Sequence, residues 1–74
     1  MKPTRSDSPR HPELTEIQRR CLDLAARGRT PADIALETDI ALPRIAEAMR
    51  NAVDKLGARN VTGAITRALR LDLI

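Results

Sequence analysis

The residues best equipped for chemistry fall within "LPRIAEAMRNAVDKL", positions 42 to 56. Arg44 and Arg50 carry donors that can hold a phosphate or grip a guanine edge bidentately, and Asn51 can serve in either capacity. Glu47 can accept from cytosine N4 but otherwise repels a phosphate backbone. Arg27, Arg29, Lys55 and Arg59 bracket the segment and are candidate phosphate contacts near helix ends. The set points to recognition of double-stranded DNA rather than to catalysis.

Other chemistries lack their parts. One cysteine, Cys21, and one histidine, His11, cannot build a zinc site or an internal disulfide. Cys21 falls in an apolar stripe with no base beside it, so it reads as a core thiol rather than a nucleophile. No Ser-His-Asp constellation, paired carboxylates or glycine-rich phosphate loop is visible, so no enzyme, cofactor, metal or small-molecule ligand is expected. The 74 residues include no Phe, Tyr or Trp, which removes the stacking platform of single-strand binders. Eleven arginines and two lysines against ten acids leave a net charge of +3, compatible with phosphate contacts but modest. No apolar run approaches a membrane span or a signal-peptide core, so a cytoplasmic setting is expected.

A chain this short supports one small domain, with a core built from Leu, Ile, Val, Ala and Met. Residues 1–13, rich in proline and mixed charge, read as a flexible arm, and 14–74 as the domain. Thr15 and Gln18 form a capping box for a first helix with Ile17, Cys21, Leu24 and Ala25 on one stripe, stopped by Gly28. Thr30, Pro31 and Asp33 start a second helix that faces Ile34, Ala35 and Thr38 inward. Asp39 occupies a turn position that needs a left-handed backbone. A third helix over 42–56 buries Ile45, Met49, Ala52, Val53 and Leu56 and ends at Gly57. The fourth begins near Asn60 and is expected to reach the C-terminus. It carries one stripe of Ile65, Ala68 and Leu69 and a second of Ala64, Leu71 and Ile74. That surplus of apolar surface suggests a partner helix, its own copy included, with Ala64, Arg67, Leu71 and Ile74 as a dimer interface.

The expected fold is therefore an all-α four-helix bundle containing a helix-turn-helix. In that motif the free face of the third helix can enter the major groove. "LTEIQRRCLDLAARGRTPADIALETDI" followed by "KLGARNVTGAITRAL" resembles the LuxR/GerE-type helix-turn-helix domain. The matching positions are Leu14, Thr15, Ala26, Gly28, Thr30, Ile34, Ala35, Ile40, Lys55, Leu56, Asn60, Thr62, Ala64 and Ile65. The resemblance implies a bacterial DNA-binding transcription regulator, helix 3 in the major groove and helix 4 pairing two domains. It also implies the single-domain type, since 74 residues leave no room for a sensing domain.

The departures from that family gather on the face that would touch DNA. Ala41 stands where the family has a capping Ser, a loss of roughly 1 kcal/mol that Pro43 offsets in part. Arg44 replaces a Thr, Ala46 a Lys and Ala48 a His, while Asp39 replaces a turn glycine. Two functions stay open at this point. One is a dimeric DNA-binding regulator. The other is a protein-binding relative that docks another transcription regulator or RNA polymerase through helix 4 or through the Ala46 and Ala48 face, and antagonises it by heterodimerisation.

Overall fold

Each of three helices begins where a side chain replaces a missing backbone partner. In the computed structural model, which describes residues 13–74, α1 spans Glu16–Ala26, α2 Pro31–Thr38, α3 Leu42–Lys55 and α4 Val61–Arg70. No strand occurs among the described residues. The expected arm, apart from Glu13, lies outside them.

The caps follow the side chains that the sequence supplies. Thr15 Oγ1 accepts from Gln18 N at 3.1 Å, and Gln18 Oε1 accepts from Thr15 N at 3.0 Å. Thr30 and Asp33 repeat this reciprocal pair at 3.1 and 3.2 Å. Asn60 Oδ1 accepts from Gly63 N at 2.8 Å. Each such cap contributes about 1 kcal/mol. Only α3 starts without a side-chain cap, at Ala41. There Pro43 has no N–H to satisfy, and Arg44 N bonds Ala41 O at 2.9 Å. The alanine therefore leaves fewer unpaired donors than a general helix start would.

Three helices stop by one device. The amide two residues past the cap bonds back across the last turn: Arg29 N to Leu24 O, Ala58 N to Val53 O, and Leu73 N to Ala68 O, at 3.1, 3.0 and 2.8 Å. The intervening residue must be left-handed. Gly28 and Gly57 supply φ values of 95° and 64°, while α4 uses Asp72 at 62°. The helix expected to run to the C-terminus thus ends at Arg70. Leu73 and Ile74 then turn back onto the core. Asp39, φ 65°, makes the left-handed turn between α2 and α3 as expected. Thr38 buttresses that turn, its hydroxyl donating to Ile34 O and accepting from Ile40 N.

The core has two centres. Cys21, Ile34, Ile45, Ala48 and Met49 form one, joining α1, α2 and α3. Leu22, Ala52, Leu56, Ala64 and Ala68 form the other, joining α1, α3 and α4. Helix α1 packs against all three other helices, so its buried arc is wider than the expected stripe. Leu22 is fully buried and Gln18 nearly so, and neither was expected inside. In the opposite sense Leu69, expected on one stripe with Ala68, is 55% exposed while Ala68 is fully buried. Among the described residues no helix is long and apolar enough to cross a membrane.

Candidate nucleic-acid interface

Helix α3 is the element that can offer side chains outward, because its inner face is fixed by packing. Ile45, Ala48, Met49 and Ala52 are buried and recur at helical spacing. At 100° per residue, Pro43, Glu47, Arg50 and Asp54 stand opposite that stripe, with Arg44 and Asn51 on one flank and Ala46 on the other. All of these are exposed. Arg44 and Asn51 are two turns apart, roughly 10 Å along the axis.

Ala48 corrects the sequence reading. It was expected to help make an apolar outer face, but it is 8% exposed and belongs to the first core centre. Only Ala46 remains of that face. A larger residue at 48 would have to displace Cys21, Ile34 or Ile45, so the alanine is explained by packing.

The candidate cations divide by partner. Arg29 Nε donates to Glu37 Oε2 at 2.6 Å, and Arg27 lies 3.6 Å from Asp23. Both pairs are exposed and weak in water, yet each sets a carboxylate beside the guanidinium. Lys55 turns inward. Its Nζ donates to Glu13 O at 2.7 Å and to Gln18 Oε1 at 3.1 Å. Its ammonium therefore fastens the start of α1 while the residue stays exposed. Arg44, Arg50 and Arg59 make no ion pair among the described residues. Arg50 stays unpaired although Glu47 and Asp54 lie one turn away on its own helix, where such pairs can form.

The expected dimer residues divide similarly. Ala64 is 0% exposed inside its own domain, so it has no surface to give a partner. Leu71 and Ile74 are half-buried against the second core centre, whereas Arg67 is exposed. Leu69, expected on one apolar stripe with Ile65 and Ala68, is the apolar residue that α4 exposes most. The helical register held the signal: Leu69 sits 140° from Ala64, outside the arc set by Ala64 and Ala68.

Beside Ala46 and Arg50 the surface dips into a groove of about 480 Å³ between α3, the α1–α2 connection and the start of α4. Its walls are mostly small apolar side chains, with Arg29, Arg50 and Thr62 at the polar positions. No such ligand-sized concavity was expected from the sequence. Cys21 is buried, and burial pushes its thiol above the ordinary value while Arg20 pulls weakly the other way. A raised thiol is unreactive, in keeping with a packing role.

Comparisons with protein-family models, curated proteins and solved structures find no significant match.

Proposed function

We propose that this protein is a small DNA-binding transcription regulator of the LuxR/GerE type. In this reading α2, the Asp39 turn and α3 act as a helix-turn-helix, and α3 enters the major groove of double-stranded DNA in the bacterial cytoplasm. The observation that carries the reading is where three of the arginines without ion pairs stand: Arg44 and Arg50 on the exposed side of α3, and Arg59 just beyond its end. Two guanidiniums on a helix whose other face is anchored, with a third just past its end, form a phosphate-binding surface. Asn51 and Glu47 lie between them and supply groups that meet base edges. Arg29 contributes its remaining donors beside Glu37.

The test is a titration of duplex DNA across salt concentrations. With about three phosphates neutralised, the logarithm of the affinity should fall with the logarithm of salt at a slope near −3. Absence of binding at ~50 mM salt would sink the reading. Arg50→Ala should weaken binding by roughly fivefold to tenfold on every sequence, and Glu47→Ala should alter base preference more than affinity. Equal weakening by both variants on all sequences would remove Glu47 from readout.

One observation favours a second reading, a protein-binding domain that pairs through α4 with its own copy or with another regulator. Leu69 leaves an apolar side chain on the surface of that helix. Leu69→Glu should then abolish self-association or partner binding while the domain stays folded. An unchanged association state would count against α4 as the contact.

A further inference from the structure

We propose that the groove beside α3 is a binding site for a straight-chain aliphatic carboxylate, held by its chain on the apolar walls and by its head at Arg50 and Arg29. The groove's volume, about 480 Å³, lies in the range of small-molecule sites, roughly 300–1,000 Å³. Its apolar walls include Ala46, Met49, Val61 and Ile65, none of them aromatic, so they favour a flexible hydrocarbon over a flat ring.

Charge fixes the head group. No acidic residue lines the groove, and both charged side chains that do are arginines. Arg50 makes no ion pair among the described residues. Arg29 gives its Nε to Glu37 and keeps its other N–H groups. A cationic amphiphile would be repelled by both arginines and a neutral one would gain no charged partner, whereas a carboxylate accepts charge-assisted hydrogen bonds from Arg50. Packing explains the concavity itself. The Ala46 side chain ends at its Cβ on this flank of α3, so the space beside Met49 is left open.

Occupancy would engage Arg50, the guanidinium also assigned to DNA, so ligand and DNA would exclude one another. That consequence alone rests on the regulator reading, because the site is defined without DNA.

The test uses octanoate, with octanol as the uncharged control, titrated into the DNA-free protein. The methyl resonance of Met49 and the amides of Ala46, Val61 and Ile65 are followed. Octanoate should shift them saturably, and octanol should bind at least fivefold more weakly. Arg50→Gln should weaken octanoate by about fivefold and leave octanol unchanged. Ala46→Phe, which fills the groove, should abolish both; if it fails to fold, Arg50→Gln alone decides. The site is overturned if the shifts do not saturate, if they fall elsewhere on the surface, or if octanol binds as well as octanoate. A second titration adds octanoate to a DNA complex. Loss of DNA binding in the wild type, without loss in Ala46→Phe, supports exclusion. Simultaneous binding of both would overturn the exclusion and leave the site itself intact.

Discussion

The two centres of the core solve one packing problem with different residues. The centre between α1, α2 and α3 is filled by Ile34, Ile45 and Met49 around Cys21. The centre between α1, α3 and α4 places Ala52, Ala64 and Ala68, each fully buried, around Leu22 and Leu56. Large side chains fill space between helices held apart. Alanines let helix backbones approach closely, and the leucines close the remaining gaps. The first centre should therefore suffer most from removed volume and the second from added volume.

The largest expected effect is Ile45→Ala. It removes a fully buried side chain from the first centre and should cost about 3 kcal/mol in denaturant unfolding. Ala64→Leu tests the second centre and should cost about 2 kcal/mol by overpacking. If it is neutral, the α4 contact is looser than the burial implies and the contrast between centres fails. At the junction of α2 and α3, Ala41→Ser should add roughly 0.5 kcal/mol. That is less than a usual cap gain, because Pro43 and the Arg44–Ala41 bond already cover most of the helix start. A gain above about 1 kcal/mol would show that the uncapped start carries more strain than its hydrogen bonds indicate.

The smallest effect separates the two centres by pH. The Cys21 thiol is raised in the folded state above an ordinary value of 9.0. Above that pH the unfolded chain loses a proton that the folded chain keeps, so stability should fall as pH rises from about nine through the folded value. Cys21→Ala should remove that slope, and Ala64→Leu should leave it in place. A slope that survives Cys21→Ala would place its origin in another group.

Much of the architecture was legible because it depends on local side-chain chemistry. The boxes at Thr15 and Thr30, the Asn60 cap, the glycine stops and the Asp39 turn each involve residues within a few positions of one another. What escaped depends on neighbours distant in sequence. Leu22 is inside because α1 serves three helices at once, and Ala48 is inside because α1 and α2 close over that side of α3. Asp72 escaped for another reason. Aspartate marks a left-handed stop far less strongly than glycine, and it was read correctly only at position 39, between two clear helices. The candidate site was legible as residue types, with Arg44, Arg50 and Asn51 exposed on α3. Partner choice was not: Lys55 with Gln18 spans 37 positions, and Arg29 with Glu37 spans 8.

The Lys55 contact has a mechanical meaning. By holding Glu13 O and Gln18 Oε1 together, its ammonium pins the first described residue to the last turn of α3. The described chain thus begins tied to the helix that carries Arg44 and Arg50. Lys55→Met would keep the stem and release the anchor, turning a fixed hinge into a swivel. Tension applied through the N-terminus would then peel away the beginning of α1 before it reached α3.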